Sequence, residues 1–570
     1  MSMKSWVKKS IYLSCGFSIL MTSVAGATTS SQIEAQLTRQ SPSPLFKIGD
    51  YFLHQTPLLT LYKLRDYRPI WVTADGKLTP IALKLKSVLK TAHLHGLNVA
   101  DYWDSTLEGY SNHPKLASFS ITLELMMTEA LLRYVDHLQN GRLDPRQVDS
   151  DIKVDRKVFK DFEVLKNTLD AAESKTAEEF RVLLDKFAPH GGNYADLKQL
   201  LAYFRSIEND NEWGEIKAPA KKFMLGYKGP QVVQLRSRLL SLGYRLSNFE
   251  NDVFDGELDQ AVRKFQVSNN LEGDGIVGPQ VLRFMNVPVS ERIMQIEANM
   301  ERLRWLPSEM PTRYVYVNIA AAEFRLYDNY KRVMKFRAIS GREHWRTPML
   351  YNDRVTYVEL NPEWVVPDSI AATKIPLIKA DPNYLSKKGF SVRKWVNGSL
   401  VDVSASERAN INWDRFVRNY VLVQEARTDN ALGVVKFPLR NEYSIYLHYT
   451  DNKNLFDDTS RQLSSGCVRL EDPFQFAEYI LAGNTTSISP SGGSWTKYEM
   501  SGLVPSREGD RPDPRYQKMR IPLITPVPVF LTYYTVDRTD DAELRFLPDV
   551  YGQDKRIVNM IKVKSYGELF

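Results

Sequence analysis

The spacing of apolar residues changes along the chain. In residues 81–97 and 121–138, apolar side chains recur every three or four positions, which predicts amphipathic helices. In residues 314–341, apolar and polar side chains alternate on both sides of Asp328-Asn329, which predicts two strands joined by a turn. The pattern therefore predicts a mostly helical first part of the chain and a β-rich second part.

Three further helices are predicted between residues 224 and 286. The first places Val232, Leu235 and Leu239 on one face. A Phe-Asp-Gly turn opens the second helix, and the sequence GDGIVGP precedes a short third one. These signals together predict a small three-helix module.

Residues 1–27 have the composition of a secretory signal. Three lysines precede a largely apolar run, and Ala25-Gly26-Ala27 matches a small-residue cleavage site. We therefore predict export, with cleavage before Thr28. An uncleaved membrane anchor is the alternative.

Length, cysteine content and charge limit the possible classes of protein. A chain of 570 residues is expected to form several domains. The two cysteines are Cys15 and Cys467, so removal of the signal leaves Cys467 without a disulfide partner. A lone exported cysteine is a candidate reactive thiol. The net charge of +7 is compatible with an anionic polymer as partner but does not identify one.

The stretch from 444 to 472 contains the strongest candidate chemistry. His448 and Cys467 are 19 positions apart. Alternation predicts that Tyr446 and His448 share one face of a strand, and that Cys467 and Arg469 share one face of another. An imidazole that takes the proton of a thiol makes a strong nucleophile. The alternative is a buried structural cysteine near a structural histidine, and the combination of residues favours catalysis.

A turn of small residues precedes the cysteine. Ser465 and Gly466 allow the backbone to bend tightly and allow a substrate to approach the sulfur of Cys467. Asp472-Pro473 then predicts the start of a helix, with Asp as the capping residue and Pro in the first turn.

These residues resemble a known family. The stretch from about 314 to 481 is similar to the YkuD-type catalytic domain of L,D-transpeptidases, whose motif is a histidine followed by a Ser-His-Gly-Cys turn and then Arg or Asn. The chain departs from the motif at Ser465, where the family has a second histidine. The residues that match are His448, Ser464, Gly466, Cys467 and Arg469.

The resemblance implies a role for each matching residue. Cys467 is expected to be the nucleophile and His448 the base. Backbone N–H groups near Gly466 and Cys467 would stabilise the oxyanion, and Arg469 would hold the turn or a substrate carboxylate. Four further residues are expected to contact substrate: Tyr446, Tyr449, Ser465 and Trp364. For Trp364, packing in the protein interior is an equal alternative.

Two other segments resemble domains that accompany this catalytic domain. Residues 67–72 and 96–103 are similar to the helical scaffold domain of large Gram-negative L,D-transpeptidases. The three-helix module is similar to a peptidoglycan-binding domain, which either contacts the wall or serves as a spacer. The predicted fold is therefore a multidomain α+β protein with five parts: a signal peptide (1–27), a helical scaffold domain (28–220), a three-helix peptidoglycan-binding domain (221–290), a β-rich YkuD-like catalytic domain (291–500) and a β-rich C-terminal extension (501–570).

Between about 368 and 420 the β pattern gives way to a polar and basic insert. Its length alone predicts a loop, such as a lid over the site. In larger members of the family this position resembles an inserted substrate-capping subdomain. The basic residues of the insert include Lys387, Lys388, Arg393 and Lys394.

The resemblance implies a periplasmic enzyme that forms 3→3 peptidoglycan cross-links through a cysteine thioester. A cysteine carboxypeptidase or endopeptidase, a transpeptidase that attaches a lipoprotein to the wall, and a non-catalytic wall-binding scaffold are the alternatives. Expected partners are peptidoglycan stem peptides and glycan, with other cell-wall proteins, and no nucleic acid. We expect no cofactor and no metal, because His93, His95 and His137 lie in helical patterns without ligand spacing.

Overall fold

The computed structural model describes residues 29–39, 45–48, 51–113, 116–190, 192–208, 213–218, 221–539 and 543–563. The predicted signal peptide lies outside these residues. The described chain divides into two compact units. One contains the described residues within 1–142, 158–189 and 561–570, and the other those within 143–157 and 190–560.

The first unit is helical, as the sequence pattern predicts. Its longest helix, Ser120–Asn140, is buried along almost its whole length. The carboxylate of Glu124 in this helix accepts hydrogen bonds from the backbone N–H groups of Ile70, Trp71 and Val72, so it fixes the loop that precedes another helix. The other helices and strands of the unit are Ser30–Thr38, Leu45–Ile48, Tyr51–His54, Gln55–Lys63, Pro80–Leu89, Ser105–Ser111, Phe162–Ala172 and Ala177–Asp185. Within the described ranges, no helix is long and apolar enough to cross a membrane.

The second unit contains the predicted three-helix module. Its helices are Pro230–Ser241, Gly256–Ser268 and Pro279–Met285. Val232, Leu235 and Leu239 are buried in the core of the module, on the face that their spacing predicts. The side chain of Asp255 caps the second helix by accepting a hydrogen bond from Leu258 N–H. Before and after the module lie Pro145–Val148, Ile152–Lys153, Gly192–Ser206 and Val289–Trp305.

Eight strands form a closed sheet in the part of the second unit that the structure describes. In hydrogen-bonded order they are Val435–Pro438, Tyr446–His448, Val468–Leu470, Lys331–Gly341, Glu323–Asp328, Arg313–Asn318, Met519–Thr532 and Met349–Leu360. The first and last strands of this order also pair with each other, which closes the sheet. Short strands Gln462–Ser464 and Ile152–Lys153 attach to its outside.

The C-terminal region contributes a central strand to this sheet. Met519–Thr532 pairs in parallel with Arg313–Asn318 and antiparallel with Met349–Leu360. The segment predicted as a C-terminal extension is therefore part of the catalytic sheet. The other helices and strands after residue 472 are Pro473–Leu481, Lys497–Gly502, Val536–Arg538, Leu544–Phe546 and Gln553–Lys562.

The insert is a folded subdomain. Strands Trp364–Val365, Phe390–Val396, Ser399–Asp402 and Val421–Gln424 form a four-stranded sheet, and Asp368–Ala380, Tyr384–Lys387, Ala405–Ala409 and Phe416–Asn419 are helical. The insert has its own apolar core, which includes Phe390, Phe416 and Leu422 and against which Tyr446 packs. The expectation of a loop from length alone is therefore wrong, and the inserted subdomain implied by the family is confirmed.

Several basic residues of the insert are paired with nearby carboxylates. Of the four that the sequence analysis names, three form ion pairs: Lys387 with Asp381, Arg393 with Glu363 and Asp402, and Lys394 with Glu407. The charges of these three residues therefore support the subdomain fold.

Candidate active site

Two neighbouring parallel strands carry the predicted nucleophile and base. We call Tyr446–His448 the histidine strand and Val468–Leu470 the cysteine strand. Their register pairs Leu447 with Val468 and His448 with Arg469. Paired side chains point to the same side of a sheet, and Cys467 directly precedes the cysteine strand. Tyr446, His448, Cys467 and Arg469 therefore share one face, as the alternation predicted.

The spacing of 19 residues between histidine and cysteine follows from this topology. Parallel neighbours cannot be joined by a tight hairpin and need a connection of a dozen or more residues. The connection here contains the helical turn Lys453–Phe456 and the strand Gln462–Ser464. That strand pairs with Lys331–Gly341, which places the cysteine turn next to a second sheet strand.

The thiol of Cys467 is partly exposed and protonated at neutral pH. It donates a hydrogen bond to the carbonyl oxygen of Ser444, with 3.5 Å between sulfur and oxygen. Ser444 has a φ of 56°, a left-handed conformation that is uncommon for a residue with a side chain. Burial of the sulfur raises the pKa of Cys467 to about 11, although the backbone of Tyr446 and the charge of Lys436 oppose the increase.

His448 is buried and neutral. Only 3% of its surface is exposed. Burial lowers the pKa of His448 to about 3, and the positive charge of Arg469 acts in the same direction, while the backbone of Leu432 and Tyr449 opposes the change. A neutral imidazole can accept a proton, which is the state that a general base requires.

The turn before Cys467 depends on glycine. Gly466 has a φ of 113°, a conformation that residues with a Cβ rarely adopt. Its N–H donates to Ser464 Oγ at 3.1 Å, and Ser464 Oγ donates to the Cys467 carbonyl at 2.6 Å. The Gly466 N–H therefore cannot bind an oxyanion while it donates to Ser464. This conformation leaves the predicted oxyanion role to other donors near Cys467.

Thr347 connects this turn to the end of a neighbouring strand. Its hydroxyl donates to the Gly466 carbonyl at 2.6 Å and accepts a hydrogen bond from Gly341 N–H at 2.8 Å. Tyr551 donates to the Gly341 carbonyl at 2.5 Å and accepts from Thr347 N–H at 3.2 Å. These bonds fix the cysteine turn, and Tyr551 is a contributor that the sequence analysis did not identify.

Lys436 is a second residue that the sequence analysis did not single out as part of the site. It pairs across strands with His448, and its Nζ lies 4.2 Å from the centroid of the Tyr446 ring. Its positive charge lowers the pKa of both Cys467 and His448. Lys436 stands between two buried apolar residues of a short strand, so period-two alternation could have placed it on the face of His448.

Tyr446 and Ser465 lie where a substrate could reach them. The rings of Tyr446 and His448 are 5.9 Å apart between centroids. Burial and the nearby Cys467 raise the pKa of Tyr446 well above its usual value, which keeps the phenol protonated. Ser465 is exposed in the cysteine turn. Their predicted substrate contacts stay predictions.

Three other predicted residues make contacts within the protein. Trp364 is 8% exposed and belongs to the core of the insert, against which Tyr446 also packs, so its predicted substrate contact stays a prediction. Tyr449 points towards the helix after the cysteine strand, because its ring lies 6.1 Å from that of Phe474. Arg469 donates to Thr450 Oγ1 at 3.3 Å, so in this structure it links the two strands. In the described ranges, no group of three or more His, Cys, Asp or Glu side chains could hold a metal ion.

A cysteine and a neutral histidine that share one face of neighbouring strands, with a glycine turn beside the thiol, form an arrangement that enzymes use to transfer acyl groups through a cysteine. Three family models match the chain. Residues 312–488 match the L,D-transpeptidase catalytic domain (YkuD), residues 228–285 match the "Putative peptidoglycan binding domain", and residues 56–201 match the scaffold domain. The chain therefore carries a YkuD-type L,D-transpeptidase catalytic domain together with a scaffold domain and a peptidoglycan-binding domain. These are the domains that the resemblance implied, and the predicted fold class is confirmed.

A curated relative and two solved structures are similar to parts of the chain. A Haemophilus influenzae protein named "Putative L,D-transpeptidase" is 30% identical over 291 residues, which are 50% of this chain and 54% of that protein. The match thus spans about half of the relative. An L,D-transpeptidase structure from Xylanimonas cellulosilytica is 15% identical, covers 55% of this chain and 100% of its own, and has a TM-score of 0.16. One from Stackebrandtia nassauensis is 13% identical, covers 56% and 98%, and has a TM-score of 0.22. Both scores are below 0.5, so the fold assignment rests on the family models.

Proposed function

We propose that this protein is a periplasmic L,D-transpeptidase that forms 3→3 cross-links in peptidoglycan. The observation that carries the proposal is the shared face of the histidine and cysteine strands, which presents Cys467 and His448 to the same substrate. The matched catalytic and peptidoglycan-binding domains support peptidoglycan as the substrate. The predicted signal peptide supports the location.

The proposed reaction has two acyl-transfer steps. His448 takes the thiol proton as Cys467 Sγ attacks the carbonyl between diaminopimelate and the terminal D-alanine of a donor stem. The imidazolium gives this proton to the departing amine of D-alanine, and a thioester remains on Cys467. The amine of an acceptor stem then attacks the thioester, and His448 takes the proton of that amine. The C–S bond breaks as the C–N bond forms, and the imidazolium returns the proton to the leaving sulfur of Cys467.

The resting protonation state determines when the nucleophile forms. The pKa of Cys467 is raised and that of His448 is lowered, so a thiolate–imidazolium pair is disfavoured before substrate binds. Proton transfer is therefore expected to accompany attack on the carbonyl. Lys436 supplies positive charge next to the sulfur, where negative charge develops.

Alkylation of Cys467 is expected to depend steeply on pH. Because its pKa is raised to about 11, the rate with iodoacetamide should rise about tenfold for each pH unit from about pH 7 to 10, without a plateau. Cys15→Ser protein has only this thiol. The same protein unfolded in urea is the control, and its rate should level off near the ordinary thiol pKa of roughly 8.5. A plateau below about pH 8 in the folded protein would contradict the protonated resting thiol.

Acylation by a carbapenem tests the nucleophile directly. Opening of the β-lactam ring by the thiol adds the whole inhibitor and releases no leaving group. Intact-mass analysis of the Cys15→Ser protein should therefore show one adduct with the full inhibitor mass, and peptide mapping should place it at Cys467. An adduct at another residue, or none, would argue against the proposed nucleophile.

The insert is proposed to act as a cap over the bound stem peptide. Tyr446 lies on the face of the site and also packs against the core of the insert. Movement of the insert would therefore change the surroundings of Cys467. The same packing means that deletion of the segment from 384 to 409 would remove strands of a folded sheet and would disturb the site as well.

A further inference from the structure

A cavity of about 450 Å³ lies between the last helix of the three-helix module, the helix Val289–Trp305 and the segment 546–555. Its wall is largely apolar and includes Phe284, Met294 and Phe546. A cavity of this volume, with apolar walls and a few charged groups, is typical of binding sites for small molecules. It contains none of the residues assigned to the reaction at Cys467.

Arg292 is the buried cationic group of this cavity. It is 4% exposed, and its guanidinium lies 4.3 Å from the centroid of the Phe546 ring. It donates to the Phe284 carbonyl at 2.5 Å and to Gln295 Oε1 at 3.0 Å, while its Nε is buried without a hydrogen-bond partner. No carboxylate of the described residues lies within the 4.0 Å that defines an ion pair with it.

A second buried guanidinium lies close to the first. Arg238 is 3% exposed, lies 3.7 Å from the centroid of the Trp213 ring, and donates to the carbonyl oxygens of Met285 and Gly214. It too forms no ion pair within 4.0 Å among the described residues. Burial lowers the pKa of Arg238 to about 10 and that of Arg292 to about 9, and the charge of Arg238 contributes to the lower value of Arg292.

Other buried arginines of the same unit have carboxylate partners. These pairs are Arg236 with Asp255, Arg302 with Asp554, Arg304 with Glu301, Arg325 with Asp537, and Arg545 with Asp537. Burial of a charge without a counterion is costly, which explains the general pattern. Arg292 and Arg238 lack such a carboxylate partner among the described residues, and they lie close to each other.

Protein groups near Arg292 compensate its charge only in part. The carboxylate of Glu291, which also lines the cavity, acts on Arg292 from beyond ion-pair distance. The carbonyls of Phe284 and Met285 end a helix of seven residues, and a helix C-terminus carries at most about half a negative charge. Asp549, which also lines the cavity, accepts hydrogen bonds from Tyr533 and from two backbone N–H groups. Asp554 is paired with Arg302. An external anion would therefore complete the neutralisation.

We propose that this cavity binds the terminal carboxylate of a D-alanine-containing ligand, with Arg292 as the anchor and Phe546 and Met294 as the apolar wall. The anion chemistry rests on the cavity alone, and the choice of D-alanine rests on the proposed function. Two sources share this chemistry, namely the tetrapeptide stem of peptidoglycan and the free D-alanine released by the reaction. The stem fills a cavity of this volume better than a single amino acid does.

Equilibrium binding to full-length Cys467→Ala protein tests the proposal without turnover. Calorimetric titration with a soluble disaccharide tetrapeptide should reveal a site whose affinity falls at least about tenfold in the double variant with Arg292→Met. A tetrapeptide with an amidated C-terminus should bind the protein that retains Arg292 just as weakly, because the ligand then lacks the charge that the guanidinium recognises. Titration with D-alanine shows which of the two ligands the site binds. Binding of D-alanine that depends on Arg292 would assign the site to the released amino acid, and no such binding would assign it to the tetrapeptide stem.

Thermal melts separate binding from a purely structural role. Removal of an unpaired buried charge should leave the melting temperature of Arg292→Met equal to or above that of the parent. The tetrapeptide should raise the melting temperature more when Arg292 is present, because the site at Cys467 binds the stem in both proteins. A second variant, Met294→Trp, keeps the charge and fills the cavity, and it should also lose the site. Identical titrations with and without Arg292, or with and without the Met294→Trp substitution, would overturn the proposal. Cross-linking assays with Cys467 present remain a separate test of the proposed function.

Discussion

Cys467→Ala is expected to lose cross-linking activity by on the order of 10³-fold or more, while its melting temperature stays within a few degrees of the parent. The substitution removes the sulfur that forms the thioester. It removes the thiol hydrogen bond to the Ser444 carbonyl and leaves the bonds of the turn between Ser464, Gly466 and Thr347 intact. Cross-linking is measured by chromatography of muropeptides after incubation with donor and acceptor stems.

The matched control is Ser460→Ala, which changes an exposed residue of the connection between the same two strands. Its side chain bonds only to Gln462 among the described contacts. It should retain activity within about threefold, as surface substitutions away from a site usually do. Parent-like cross-linking by Cys467→Ala would refute the assignment of the nucleophile.

Gly341→Ala is expected to be the most damaging substitution outside the catalytic face. A Cβ at this position would lie 2.1 Å from the Trp345 carbonyl oxygen and 2.5 Å from Thr347 N, both of which are backbone atoms. The loop must move to relieve the clash, and Thr347 would then shift from the Gly466 carbonyl, which it contacts at 2.6 Å. We expect a loss of stability of roughly 3 kcal/mol and a loss of activity of about 10²-fold or more.

Gly502→Ala provides the comparison, because no atom lies within 4 Å of the added Cβ. It ends a helix, and alanine there should leave the melting temperature unchanged or slightly raised. Urea unfolding and cross-linking assays on both variants measure the difference. Equal stability and equal activity of Gly341→Ala and Gly502→Ala would show that the hydrogen bonds that hold the cysteine turn are not needed for stability or activity.

Local patterns in the sequence were enough to predict the arrangement of the catalytic face. Period-two alternation placed Tyr446 with His448 and Cys467 with Arg469, and the register of the two strands agrees. The helix start at Asp472 was also predicted, and its side chain accepts a hydrogen bond from Gln475 N–H. Such features depend on neighbours in sequence, which is why they can be inferred without a structure.

Features that depend on distant pairing could not be inferred in this way. The central strand Met519–Thr532 pairs Val529 with Val315, more than two hundred positions away, and no local signal encodes that choice. The first helix of the insert, Asp368–Ala380, contains the internal proline Pro376, which is atypical of a helix, and most of the following segments are short. The fold of the insert depends on a core against which Tyr446 packs. Alternation within its own strand gives the face on which Lys436 lies, but the pairing of that strand with the histidine strand is what places Lys436 beside His448.

Product analysis with a purified disaccharide tetrapeptide tests the central claim most directly. Mass spectrometry should show a dimer with a bond between two diaminopimelate residues, together with one released D-alanine for each bond formed, and no dimer with Cys467→Ala. Release of D-alanine with only a tripeptide product would instead show transfer to water, and a dimer formed equally well by Cys467→Ala would contradict the thioester route altogether.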